Sequence, residues 1–455
     1  MQSESLYLRI IRNLLPSPFS IAVILTLITY VLALIFTERP ENAGSAYPLV
    51  ILEYWETGFW ELLAFTMQMS LILVLGHTLA LTPAVNRLIG SFTRICNSTA
   101  KAAFWISLLT IAVSFFNWGL CLVFGAIFAR KVAERAKAQG WQLNYPLIGA
   151  AGYSGMMCWH GGLSGSAPLT VAGPDHFLIS QIGQISIDQT LFSGMNITTA
   201  LLLLIVIPGV FYALGSRIST SESHFNIDFS QATETATSAE TNQATGAEKI
   251  DHSRAVAMLF GGLICFIALR KIIISPSGSG LNVVNLNYIN FLLFGLAILM
   301  HTRFSQFLKA VQEAIGGSVG IIIQFPLYAG IMGIMKYSGL AAGVSYAFVE
   351  VSNEVTLPLL TFLSAGLVNV FVPSGGGQWA VQGPIAIEAA QALNVPIPKI
   401  VMALSYGDQL TNMLQPFWAL PLLGITRLKA KDILPYSLLV MGVGILIFIG
   451  VLLIF

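Results

Sequence analysis

Charge is what this sequence has least of. Only 9% of its 455 residues are Asp, Glu, Lys or Arg, while 55% are hydrophobic. Soluble domains carry about 25% charged residues. A surface so poor in charge excludes a water-soluble enzyme and implies a polytopic integral membrane protein. Mean hydropathy, at +0.77, agrees. The 22 basic and 21 acidic residues nearly cancel, so nothing electrostatic calls for a nucleic-acid partner. Cysteine is also scarce. Cys96, Cys121, Cys158 and Cys265 lie in or beside apolar runs without CxxC or Cys/His clustering. They read as small buried hydrophobes rather than disulfides or metal ligands. The first apolar run starts near Phe19, after Arg9 and Arg12, and no small-residue cleavage site follows it. It reads as an uncleaved first helix.

What is abundant is apolar sequence in span-length runs. A crossing needs about 20 residues, and about nine crossings are expected, over 19–36, 58–81, 146–172, 190–215, 255–273, 286–302, 317–336, 398–427 and 433–455. Two further stretches, 102–133 and 355–393, are too long for one crossing. Each carries a polar break, Asn117-Trp118-Gly119 in the first and Pro373-Ser374-Gly375-Gly376-Gly377-Gln378 in the second. Halves of about 15 residues are too short to cross, so two re-entrant hairpins are expected, their irregular backbone buried in protein. With that map only Arg39, Arg270, Lys271, Lys336 and Lys399 of the 22 basic residues fall on the outer side. The positive-inside rule then puts the N-terminus in the cytoplasm and the C-terminus outside. The first hairpin enters from the cytoplasm and the second from the opposite face. Residues 216–253, rich in Ser, Thr, Glu and Ala, read as a disordered cytoplasmic linker. The helical spacing of Phe304, Phe307, Leu308, Val311 and Ile315, opposite Lys309 and Glu313, suggests an interfacial helix.

An internal repeat spans the linker. Asn117-Trp118 is followed by Pro146, Ile148, Ala151, Tyr153, Gly155 and Pro168; Gln378-Trp379 is followed by Pro398, Ile400, Ala403, Tyr406, Gly407 and Pro421. Inverted repeats with discontinuous helices are a signature of secondary transporters whose site lies at mid-membrane. Each half has a second break. The first runs from Trp159 through His160, Gly161, Gly162, Leu163, Ser164, Gly165 and Ser166 to Pro168. The second runs from Gly407 through Asp408, Gln409, Thr411, Asn412 and Gln415 to Pro416. The resulting all-α layout divides into N-terminal helices (1–101), a first hairpin and broken helix (102–172), a crossing helix (173–215) and the linker (216–253). Further helices (254–354), a second hairpin and broken helix (355–427) and a last helix (428–455) follow.

Free amides at half-helix N-termini suit a carboxylate, and freed carbonyls with Asn, Ser and Thr oxygens suit sodium. No Lys or Arg is expected at the depth of the breaks. The substrate candidates are therefore Asn117, Ser164, Gly165, Ser166, Ser374, the amides of Gly375, Gly376 and Gly377, and Gln378. Small residues that merely let helices pack closely would explain part of the same pattern. Asp408 is the one carboxylate placed in an unwound segment. With Asn117, Thr411, Asn412 and His160 it forms the candidate site for a coupling sodium ion or proton. No other cofactor or metal is implied. Glu61 and Glu388 are placed near the interfaces, and Trp118, Trp159, Trp379 and Trp418 are candidates to wall a pocket. Gly162-Leu163-Ser164-Gly165 also matches the GxSG nucleophile motif of rhomboid intramembrane proteases, with His301 as the base it would need. A passive anion channel is the third reading, without the charged rings such pores use.

The stretches YPLIGAAGYSGMMCWHGGLSGSAPLTVAG (145–173), FVPSGGGQWAVQGPI (371–385), WETGFWELLAFTMQM (55–69) and SYGDQLTNMLQPFWALPLLGI (405–425) resemble the bacterial short-chain fatty acid transporters. The resemblance covers nearly the whole chain apart from 216–253. It implies an inner-membrane transporter of acetoacetate, butyrate and similar monocarboxylates. More remotely the layout is similar to the ion-transporter superfamily of dicarboxylate carriers, dimers that move a two-hairpin domain like an elevator. That superfamily's tips carry Ser-Asn-Thr triplets contacting carboxylate and sodium. Here Asn117 and Ser374 stand at the corresponding places, and neither tip keeps the triplet.

Overall fold

The computed structural model describes residues 16–39, 46–174, 176–217, 246–274 and 286–455. Arg9, Arg12 and most of the linker read over 216–253 lie outside the described residues. Every regular element among the described residues is helical, with no strand. The N-terminal part comprises α1 (Pro18–Phe36), α2 (Tyr47–Glu61), α3 (Leu63–Ala80) and α4 (Pro83–Phe92). A helix pair follows, α5 (Thr99–Phe116) and α6 (Trp118–Gln139), then a broken helix, α7 (Tyr145–Tyr153) and α8 (Ser166–Ala172), and then α9 (Gly194–Arg217). Next come α10 (Arg254–Ile273), α11 (Leu286–His301), α12 (Phe304–Ile315), α13 (Val319–Tyr337) and α14 (Leu340–Glu350). The second half then repeats the order of the first. A pair, α15 (Leu357–Phe371) and α16 (Gly375–Ala392), precedes a broken helix, α17 (Ile397–Thr411) and α18 (Pro416–Thr426), and a long helix, α19 (Ala430–Ile454).

Seven helical runs among the described residues are long and apolar enough to cross a bilayer, so the chain is a multi-pass membrane protein. Pro18–Phe36, Gly194–Arg217, Arg254–Ile273 and Ala430–Ile454 coincide with expected crossings. The expected 58–81 begins earlier, as Tyr47–Ala80, and 317–336 continues from the amphipathic helix as Phe304–Tyr337. The broken helices contribute none of the seven because each is cut into short pieces. The pair arms are mostly longer than the sequence suggests, at 18 and 22 residues in the first pair and 15 and 18 in the second. Thr99–Phe116 is itself span-length. The reason is local. Ser98 caps α5 through Lys101 N–H, one turn before the apolar run. α6 then runs past that run through the good helix formers Ala133, Glu134, Arg135, Ala136 and Lys137.

Each pair packs on the first half of its own broken helix, α5 and α6 on α7, and α15 and α16 on α17. The halves also interlock. The second arm α6 packs on α18, and α16 packs on α8. α9 lies along α5, and α19 contacts α9, α7 and α17. Outside this group, α13 is held against α1 and α2, and α11 against α3 and α10.

The α6–α7 crossing is a backbone contact. A Cβ on Gly125 would sit 2.0 Å from the Gly152 carbonyl oxygen, and one on Gly152 would sit 2.7 Å from that of Gly125. Gly125→Val therefore forces the helices apart and is expected to cost at least about 1–3 kcal/mol. Gly450→Ala, whose Cβ meets nothing within 4 Å, should be neutral or mildly stabilising. Thermal unfolding of both variants in detergent checks this; equal melting temperatures would contradict the crossing.

Candidate functional site

Both tips are built as helix N-caps. Asn117 is a single extended residue between α5 and α6. It is buried, and its Oδ1 accepts the Leu120 N–H at 3.0 Å. Trp118 N–H donates to Ser164 Oγ at 3.1 Å, and Leu163 N–H donates to the Phe115 carbonyl at 2.7 Å. The first tip is thus joined to the first unwound segment, and Asn117 and Ser164 are brought together as expected. At the second tip the half-buried Ser374 accepts the Gly377 N–H at 3.2 Å, leaving its hydroxyl proton to donate. Gly376 is exposed and its Cα faces open space.

The first broken helix loses α-geometry at Ser154, slightly before the expected Met157. It passes through 3-10 turns at Ser154–Met157 and Trp159–Gly161, and restarts at Ser166 with Gly165 as its cap residue. The second break is narrower than the sequence suggests. Asp408 and Thr411 lie in the last turn of α17, not in an unwound segment, and the break covers only Asn412–Leu414 and Gln415. Two constraints account for this. Gly407 packs its backbone onto the α15 backbone, where a Cβ would lie 2.1 Å from the Phe362 carbonyl oxygen, so tertiary packing holds the helix through the glycine. Pro416 pushes Gln415 to extended geometry (φ −91°, ψ 115°), so the disruption is confined to the residues just before it.

The two halves meet at His160. Its backbone N–H donates to Gln409 Oε1 at 2.8 Å, and its Nδ1 accepts the Ser166 N–H at 3.2 Å. That acceptor role puts the ring proton of the neutral imidazole on Nε2. Nε2 lies 3.2 Å from Asp408 Oδ1, close but off the line of a hydrogen bond, and Asp408 Oδ2 is buried without a hydrogen-bond partner. Gly375 closes the contact, since a Cβ there would fall 2.7 Å from His160 Nε2 and 2.9 Å from Ser166 Oγ. His160, Ser166, Gly375 and Asp408, from four different elements, therefore form one cluster.

A second buried network surrounds Asn369, which sequence reasoning missed. Its Nδ2 lies 2.6 Å from the Asp408 carbonyl, 3.0 Å from Thr411 Oγ1 and 3.0 Å from Asn412 Oδ1. The Asn369 carbonyl accepts from Gln415 Nε2. Asn412 Nδ2 donates to the Met156 carbonyl at 3.2 Å, and Tyr153 OH donates to the Asn412 carbonyl at 2.7 Å. Asn369 Oδ1 and Gln415 Oε1 are buried without partners. The available signal was an Asn in the otherwise apolar last turn of α15, and such residues are costly in lipid unless functional. Gln378 faces away from this network. Its Nε2 donates to the Ala365 carbonyl at 2.7 Å and to Gln382 Oε1 at 2.8 Å, and Gln382 Nε2 reaches Ser345 and Ser364.

A cavity of about 250 Å³ opens beside the second tip. Ser374, Gly377 and Gln378 are among its lining residues, with Met332, Val368, Val372 and Val381. Glu61 and Lys336 also line it, so a basic side chain does reach the neighbourhood of a tip, paired there with the exposed Glu61. Sequence depth alone could not find this, because the pairing depends on how α2 crosses α13. Glu388 is exposed, as expected.

Three of the four tryptophans converge. Trp118, Trp159 and Trp418 have ring centroids 5.1–6.5 Å apart, and Phe65 of α3 packs on Trp118 and Trp418. Trp379 is buried separately, with Ala365, Val401 and Leu404. The protease reading finds no geometry. His301 Nε2 lies 2.9 Å from the Thr78 carbonyl, and both His160 nitrogens face groups other than Ser164. The cysteines are all free.

A sequence model of the family described as "Short chain fatty acid transporter" matches residues 2–455. A curated relative from Escherichia coli K12, provisionally named a short-chain fatty acid transporter, is 37% identical over 94% of each chain. Another from Haemophilus influenzae Rd, with the same name, is 36% identical over 93% of each. A solved structure of Neisseria gonorrhoeae MtrF, whose title places it in a class of antimetabolite efflux pumps, aligns over 99% of this chain and 97% of its own. Its TM-score is 0.42 and its identity 15%.

The Asn369 network makes a direct prediction. Asn369→Ala strips donors from the Asp408 carbonyl, Thr411 and Asn412, each buried or partly buried. It should destabilise the protein by about 1–3 kcal/mol, read as a lowered thermal midpoint in detergent. An unchanged midpoint would contradict the network.

Proposed function

The chain belongs to the short-chain fatty acid transporter family, and on that premise we propose that it carries short-chain monocarboxylates such as acetoacetate and butyrate across a bacterial inner membrane. The observation that carries the reading is the cavity at the second tip. The Ser374 hydroxyl and the Gly375 and Gly376 amides offer donors at the N-terminus of α16, with the Gly377 amide held by Ser374 itself, and the helix dipole there favours an anion. Met332, Val368, Val372 and Val381 supply an apolar wall beside them. Donors beside an apolar surface suit a carboxylate on a short alkyl chain. At the first tip Asn117 and Ser164 are the corresponding candidates, while Gly165 and Ser166 lead from the same break toward Gly375 of the second tip.

In this reading transport is secondary and cation-coupled. Asp408 Oδ2, Asn369 Oδ1 and Gln415 Oε1 are buried oxygens without partners. With Thr411 and Asn412 they offer a sodium ion the oxygen donors it prefers. His160 beside Asp408 offers a proton the alternative place. The helix pairs α5–α6 and α15–α16 act as re-entrant hairpins from opposite faces. With the broken helices they move as one elevator-type unit against α2, α3 and α13, which form the fixed scaffold of a homodimer. The basic-residue asymmetry supports a cytoplasmic N-terminus and a periplasmic C-terminus.

Uptake of labelled butyrate into proteoliposomes, under separate sodium and proton gradients, tests this. Saturable uptake driven by one gradient is expected. Ser374→Ala should raise KM about tenfold, the worth of one hydrogen bond to a charged group. Absence of saturable uptake overturns the substrate class, and an unchanged KM in Ser374→Ala overturns the tip assignment.

A further inference from the structure

A charged pair also lines the cavity beside the second tip. Among the described residues that line it, Lys336 is the one base and Glu61 the one acid. Lys336 Nζ lies 3.2 Å and 3.3 Å from the two Glu61 oxygens and 3.2 Å from Tyr337 OH. It also sits 4.6 Å from the Tyr337 ring centroid. Tyr337 OH in turn donates to Glu61.

The placement of this pair is built into the helix crossing. A Cβ on Gly58 of α2 would lie 2.5 Å from the Ala329 carbonyl oxygen, and one on Gly333 of α13 would lie 2.3 Å from that of Tyr54. The two backbones therefore touch at Gly58 and Gly333. Residues three apart share a helix face, so one turn beyond the contact Glu61 and Lys336 are brought together at the cavity rim. α2 ends at that point and Leu62, also a lining residue, separates it from α3.

The pair is fixed in place but loosely held. The Lys336 side chain is 45% exposed and that of Glu61 27%, so the pair is not sealed in the core and an incoming anion reaches the ammonium without opening a buried ion pair. Glu61 is itself a carboxylate presented to Lys336 on the cavity rim. It occupies the ammonium much as a fatty acid headgroup would.

We infer that Lys336 is a specificity-determining residue that selects anionic over neutral short-chain substrates by exchanging the Glu61 carboxylate for the substrate's. The alkyl chain then rests on Met332, Val368 and Val372, and Glu61 acts as the resident competitor that returns when the substrate leaves. The inference rests on the short-chain carboxylate reading above. It gives the ammonium and the acid opposite roles, which a purely structural ion pair would not.

Proteoliposome uptake of labelled butyrate by the full-length protein, with butyrate and butyramide as unlabelled competitors, provides the test. Lys336→Gln should raise KM for butyrate about tenfold, the effect of losing a charge-assisted contact, and narrow the preference for butyrate over butyramide. Lys336→Arg should restore both to within roughly threefold. Glu61→Gln should lower KM by roughly threefold. Wild-type KM in Lys336→Gln overturns the inference alone, as does an equal rise in KM in Lys336→Gln and Glu61→Gln, the mark of a mere clamp between α2 and α13. Failure of the unmodified protein to take up butyrate overturns the substrate reading, and this inference with it.

Discussion

Every helix break in a membrane-embedded chain frees backbone amides and carbonyls that lipid cannot satisfy, and the architecture here is organised around meeting that demand. The partners are supplied across elements. Ser164, from one break, accepts the first amide of α6. The Nδ1 of His160 accepts the first amide of α8, while the backbone amide of His160 is held by Gln409 of α17. Asn369, from the second pair, takes the Asp408 carbonyl, and Tyr153, from the first half, takes that of Asn412. Each half satisfies part of its own breaks, and the bonds from His160 to Gln409 and from Tyr153 to Asn412 cross between the halves, so the polar residues that make the breaks tolerable also bind the halves together.

That constraint explains what was legible in the sequence. A break needs glycine, proline or a capping side chain, and these are local signals. Asn117, the Pro373–Gly377 run and the Gly161–Gly165 stretch announced themselves for that reason, and both tips proved to be N-caps. The order of elements in the two halves was legible too, because Pro146 and Pro398 sit at helix starts, where proline is tolerated. Polar scarcity in a long apolar chain was enough to single out His160 and Asp408, which lie buried side by side.

What was not legible depends on who packs against whom. Gly407 reads as a helix breaker, yet its contact with the Phe362 backbone keeps α17 helical through Asp408 to Thr411. Gln378 lines the cavity at the tip, yet nothing in the sequence shows that its amide nitrogen is held by the Ala365 carbonyl and Gln382. Asn369 sits several residues before the break that draws attention, and only the fold brings it to Asn412. Lys336 and Glu61, 275 positions apart, carry no sequence mark of their partnership, because the glycines that join their helices look like any others in an apolar run.

The aromatic contacts have a different character from the polar ones. Phe65 of α3 meets Trp118 and Trp418, and Phe325 of α13 stacks on Phe417 at 3.9 Å between centroids. These rings join the helices bearing the breaks to helices that bear none. A hydrogen bond is lost when its partners slip by an ångström or two, but flat hydrocarbon faces trade one overlap for another with little change in energy. The molecule is thus stitched where its breaks must be satisfied and greased where these rings adjoin, and shear along that seam would trade ring overlaps while having to part the bond between Arg130 Nη1 of α6 and His77 Nε2 of α3.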